Sequence, residues 1–133
     1  MIAVLDASAA VEVVLQRGMA ERMSTCLGEA DWVIAPTLFI PEVTNVFWKY
    51  QRLTDLSVRA CAQALDRAMA LPDDFIDEQD FFREAFKLAC TVDHSVYDIM
   101  YLITARRHNA VLLTLDKKLV RLAKDCSVEI AAL

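Results

Sequence analysis

At 133 residues the chain fits one domain, long enough to bury roughly two-thirds of its unfolded surface in a single core. Its net charge of −5 argues against gripping nucleic acid by broad electrostatic attraction, though a local basic rim or a metal-mediated grip stays open. Apolar residues make up 56%, and only two Gly and three Pro are present, so little material is left for linkers and some apolar surface is left for self-association or a partner helix.

The first expected element is a strand over residues 2–5, an apolar run that stops on Asp6. Helices are expected over 8–16 and 19–29, then a strand over 32–35. A helix over 37–52 carries Pro41 early, where a missing N–H costs little. The next, over 55–70, can be capped by Asp55 or Ser57 and is ended by Leu71-Pro72. The acidic run "DDFIDEQD" reads as a solvated strand edge, with a weak strand at 75–76, followed by the start of a helix over 79–91. Ser95 can cap a helix over 95–107. A strand over 111–115, a helix over 117–125 and a weak strand over 128–131 complete the chain. Unbroken apolar strands alternating with helices predict an α/β three-layer sandwich, with a central parallel sheet of about five strands covered on both faces.

No run is long enough to span a bilayer. The first apolar run lacks a basic n-region and is broken by Asp6 and Glu12, unlike a signal peptide. Cys26, Cys61, Cys90 and Cys126 form no C-x-x-C pair, and His94 and His108 lack a partner at ligand spacing. Buried free thiols in a reducing, cytoplasmic compartment are expected rather than zinc or disulfides.

Open parallel sheets work at the carboxyl ends of their strands. Asp6 and Asp116 each follow a strand directly, so both should emerge on that edge. In the helix over 37–52, Leu38, Glu42, Asn45 and Lys49 form one stripe, and Phe39, Val43, Val46, Phe47 and Tyr50 form the opposite, core-facing one. Asp98 opens the helix that leads into the strand delivering Asp116. Local roles exist for three of the acids. Asp6 and Asp116 can be N-caps and Asp98 can complete a capping box with Ser95, each contributing about 1 kcal/mol. Glu42 has no such role. Four neighbouring carboxylates repel, which raises their pKa values unless a dication relieves them. Oxygen-only donors suit Mg²⁺ or Mn²⁺, ions that activate water and neutralise charge on a phosphodiester. Residue types alone therefore point to a metal-dependent phosphoesterase and do not choose between RNA and DNA.

The segments "IAVLDASAAVEVVL", "APTLFIPEVTNVFWKYQRLT", "HSVYDIMYLITARRHNAVLLTLDKKL" and "VEIAAL", in this order and spacing, resemble PIN-domain nucleases, specifically the VapC toxins of toxin–antitoxin pairs. The resemblance covers essentially the whole chain and implies a single PIN domain over residues 1–133 with a five-stranded parallel sheet. It also implies Mg²⁺- or Mn²⁺-dependent endoribonuclease activity on RNA, a homodimer, and neutralisation by a VapB-like antitoxin lying in the active-site groove. Asp6, Glu42, Asp98 and Asp116 are similar to the family's acidic quartet. By that likeness Asp6 and Asp98 bind metal directly, Glu42 positions metal or water, and Asp116 acts directly or through water. Thr114 is similar to a hydroxyl residue lining the pocket, and Asn45 to a polar neighbour of the glutamate.

Beyond the quartet, Lys117, Lys118 and Arg121 are candidate phosphate contacts or an ordinary charged helix face. Asp93 reads as a loop or capping residue, Arg106 and Arg107 as a response to the helix dipole, and Tyr97 and Tyr101 as packing residues. A receiver domain would need a third-strand phosphoacceptor and a late lysine, and a dehalogenase-type phosphatase would need an acid where Ser8 stands. The remaining rival is a non-catalytic module that keeps the fold and binds a partner helix.

Overall fold

The structure is a computed structural model describing residues 1–133. Four parallel strands form the sheet: β1 (Ile2–Leu5), β2 (Trp32–Pro36), β3 (Asp74–Ile76) and β4 (Val111–Leu113), in the order β3-β2-β1-β4. Ala3, Val4 and Leu5 of the central strand are wholly buried. This is why β1 reads as an unbroken apolar run rather than an alternating one.

Seven helices surround the sheet: α1 (Ala7–Val14), α2 (Ala20–Glu29), α3 (Phe39–Leu53), α4 (Val58–Met69), α5 (Phe82–Val92), α6 (Val96–Arg107) and α7 (Lys117–Asp125). α6 lies against β1, β2 and β4, with α5 packed on it, while α1 gathers α2, α3 and α4. Packed between the sheet and α5, α6 buries Ile99, Tyr101, Leu102, Ile103, Thr104 and Ala105 and shows no single apolar stripe, as expected of a helix enclosed on most sides. Ser57 accepts from Ala60 N at 3.0 Å to start α4, and Ser95 caps α6. Pro41 falls in the first turn of α3, where its missing N–H is harmless. The acidic run of 73–80 is structural. Asp73 accepts from Val33 N, Asp74 from the Trp32 indole, and Asp77 caps a 3-10 turn over Glu78–Asp80 that precedes α5.

Three expectations are corrected. The sheet has four strands rather than five. The closing segment reaches β4 through a single parallel bridge, Leu112 with Ile130, held by Leu112 N to Glu129 O and Ala131 N to Leu112 O. No ladder can extend from it, because β4 stops at Leu113. Leu115 N donates to Ser8 Oγ and Asp116 N to Thr114 Oγ1, so the backbone beyond Leu113 bonds to side chains instead of a strand. The thiols are not all buried: Cys61 is, Cys26 and Cys126 are partly so, and Cys90 is exposed. α5 turns Ala85 and Ala89 inward, which leaves Cys90 facing out. Arg106 and Arg107 do more than answer a dipole, since both bond Glu84 of α5 at 2.9 Å.

Candidate active site

The chain runs from β1 to β2 to β3 on one side, then crosses back to place β4 on the other side of β1. Strand order therefore reverses between β1 and β4, and parallel sheets open their crevice at the carboxyl edge of such a point. Leu5 pairs with Leu113 and Asp6 N donates to Leu113 O, so Asp6 and Thr114 leave the sheet side by side.

Asp6 is only 5% exposed. Its Oδ1 accepts from Ala9 N at 2.9 Å, which caps α1, and from Ser8 Oγ at 2.7 Å. Its Oδ2 accepts from Thr114 Oγ1 at 2.5 Å. Asp116 caps α7, with Oδ1 accepting from Lys118 N at 2.8 Å and from Leu119 N at 3.3 Å. The local capping roles of both acids are thus realised, and they fix one side of each carboxylate. Asp98 forms no capping box, because Ser95 bonds Tyr97 N and Asp98 Oδ2 faces His94 Nε2 at 3.6 Å. Glu42 enters from the first turn of α3, and its Oε1 is buried with no hydrogen-bond partner.

The acids are close enough to repel in a closed ring: Asp6 with Asp116, Asp116 with Asp98, Asp98 with Glu42, and Glu42 with Asp6. Burial, with Asp116 adding, pushes Asp6 up to about 6 against the bonds from Thr114, Ala9 and Ser8. Burial, with Asp6 and Asp98 adding, pushes Glu42 up to about 7. Asp98 is also raised, by burial and Asp116, with His94 and Lys118 opposing. The Tyr101 hydroxyl is held firmly neutral by burial and by Glu42, Asp6 and Asp98. It lies near enough to Glu42 for each to shift the other, yet the hydroxyl and Glu42 Oε1 complete no hydrogen bond.

No three carboxylate, imidazole or thiol groups stand at the spacing of ligands to one ion. The donor set still fits a hard dication. It is all oxygen, includes the orphaned Glu42 Oε1, and is mutually repelling, and Mg²⁺ in particular keeps several waters through which acids reach it.

Among the other predicted residues, Thr114 is buried against Asp6, whereas Asn45 is exposed one turn beyond Glu42. Lys117 and Lys118 are both exposed. Lys118 faces Asp98 and, with Arg121, Asp93 and His94, lines a cavity of about 640 Å³ beside the ring. Asp93 ends α5 in a left-handed conformation, φ 54°, which Asp tolerates. Three contributors were not assigned to the site from the sequence. Ser8 was legible only as the second residue after Asp6, His94 as the fourth before Asp98, and Tyr101 as the third after it, on the same helical face.

The PIN domain family model matches residues 3–125. Among solved structures, the chain is similar to PAE2754 from Pyrobaculum aerophilum, with a TM-score of 0.74 and 21% identity over 91% of this chain and 78% of that one. It is also similar to VapBC2 from Rickettsia felis bound to a DNA fragment from their promoter, with a TM-score of 0.70 and 14% identity over 98% of each. At these identities the two likenesses speak for the fold. No curated protein matches the chain significantly.

Proposed function

The chain belongs to the PIN-domain family, and from that premise we propose that it is a Mg²⁺- or Mn²⁺-dependent endoribonuclease, the toxin of a toxin–antitoxin pair. The observation that carries this reading is the ring of Asp6, Glu42, Asp98 and Asp116 at the strand-order reversal, with Asp6 and Glu42 driven up to about 6 and 7. An arrangement that raises the pKa of its own buried carboxylates is unfavourable in isolation and becomes favourable with a counter-charge.

Asp6 and Asp98 would hold the ion most directly, with Glu42 and Asp116 orienting its waters. Bound there, it would lower the pKa of a water ligand and neutralise charge developing on a phosphodiester. The chain's own groups do the rest. Ser8 and Thr114 hold both oxygens of Asp6 in place. Asp116 stays fixed by its helix cap. Lys118 and Arg121 at the adjoining cavity offer positive charge to the RNA backbone.

Two exposed apolar patches support association with a second copy and with an antitoxin of the VapB kind. Trp48 and Val58 line one groove between α3 and α4, and Phe82 and Phe86 lie one turn apart on α5, all four exposed.

The test is cleavage of structured RNA with Mg²⁺ or Mn²⁺. EDTA should abolish it, and Asp6→Asn and Asp98→Asn should lose it while circular dichroism stays unchanged. Variants that cut like the parent would sink the site assignment. A second reading, a non-catalytic module of the same fold, is favoured by the capping roles of Asp6 and Asp116 and predicts no metal-dependent cleavage by the parent.

A further inference from the structure

Tyr101 is the largest wholly buried side chain of the core, yet its hydroxyl has no hydrogen-bond partner. The only other buried side-chain oxygen in that condition is Glu42 Oε1. Folded proteins leave few such atoms unpaired, and two on facing side chains invite a common explanation. The two come from different elements, Tyr101 from α6 and Glu42 from α3. The carboxylates that act on the Tyr101 hydroxyl are Glu42, Asp6 and Asp98, so it is directed into the acid ring. A phenylalanine would fill the same volume without introducing a polar atom that needs a partner.

We propose that Tyr101 is a positioning residue for Glu42: its hydroxyl donates to the Glu42 carboxylate, directly or through one water, and fixes the orientation in which that carboxylate faces Asp6 and Asp98. Glu42 has no other restraint on Oε1, unlike Asp6 and Asp116, which are clamped by backbone and hydroxyl donors. A side chain as flexible as glutamate needs such a restraint to hold one rotamer. Tyr101 does not reach substrate and takes no part in the chemistry itself. The role rests on the proposed nuclease reading only for its effect on turnover, and the contact itself can be tested without metal or RNA.

The experiment is a double-mutant cycle of Tyr101→Phe and Glu42→Ala, read first as melting temperature in EDTA. In the parent, Tyr101→Phe strands the buried carboxylate and lowers the melting temperature by a few degrees. In the Glu42→Ala background the same change removes an orphaned hydroxyl and leaves the melting temperature level or higher. Equal shifts in both backgrounds would mean that the hydroxyl ignores Glu42, and would overturn the proposal. In RNA cleavage, Tyr101→Phe should lower kcat on the order of tenfold with KM little changed, the signature of lost orientation rather than lost binding. It should also weaken Mn²⁺ binding, measured by calorimetry, several-fold. Full turnover and full Mn²⁺ affinity in Tyr101→Phe would overturn the positioning role even if the contact exists. A parent that cleaves no RNA would defeat the nuclease reading alone, because the cycle in EDTA decides the contact independently.

Discussion

Asp6 has two roles that differ in their need for its charge. As the cap of α1 it needs an acceptor oxygen, which a neutral amide also supplies. As a member of the acid ring it needs its charge, which burial penalises. Asp6→Asn should therefore raise the stability of the metal-free protein at pH 8 by up to about 3 kcal/mol while ending cleavage. Asp6→Ala should forfeit about 1 kcal/mol of that gain by losing the cap. Chemical denaturation of the parent and both variants would check this ranking. The same shifts fix the sign of the pH dependence. Asp6 and Glu42 keep their protons to about 6 and 7 when folded, whereas their ordinary values are 3.8 and 4.5. Between those limits the folded state binds more protons, so metal-free stability should fall as pH rises from about 4 to about 7 and level off above. Asp98 acts in the same direction. Glu84, held low by Arg107 and Arg106, acts in the opposite one and is weak because solvent screens it. Melts that show stability rising across that range would refute the burial argument for the acids.

Among the elements, α3 depends on help from elsewhere in the chain. Leu38, its N-cap, has no side chain able to cap. Glu78 of the 3-10 turn supplies the missing acceptor: Oε1 takes Leu38 N at 2.5 Å and Oε2 takes the Thr37 hydroxyl. Because Glu42 sits in the first turn of α3, this tether also sets where the carboxylate enters the ring. Glu78→Ala should cost about 1–2 kcal/mol and depress kcat. Ser57→Ala, which uncaps α4 away from the ring, should cost about 1 kcal/mol and leave kcat unchanged. Equal effects of the two on turnover would separate the α3 tether from the site. These element boundaries were largely legible. The Ser57 and Ser95 caps, the Leu71-Pro72 stop and Pro41 in a first turn are chemical marks carried within a few residues of their effect.

For the molecule as a whole, the charge problem and the fold are one problem. Four acids from stretches more than a hundred positions apart are brought to one edge by the crossover from β3 to β4, and their repulsion opposes the fold that gathers them. A dication binding only the folded state should add about 2.7 kcal/mol at a hundredfold excess over its Kd. Millimolar Mn²⁺ should accordingly raise the melting temperature of the parent and leave Asp98→Asn nearly unmoved. An unresponsive parent would deny that the ring is a metal site. The sequence by itself determined the apolar strands, the helices between them and the acids standing directly after β1 and β4, because these follow from hydrophobic period and local chemistry. Tertiary structure alone decided that the last segment makes one bridge and no strand, that Ser8 and Thr114 both bond Asp6, that His94 faces Asp98, and that the Tyr101 hydroxyl and Glu42 Oε1 are buried without partners. In the long-range cases the physical reason is the same. Spacing along the chain reports which face of an element a residue occupies, whereas contact between elements depends on strand order and helix packing, which are fixed only when the core closes.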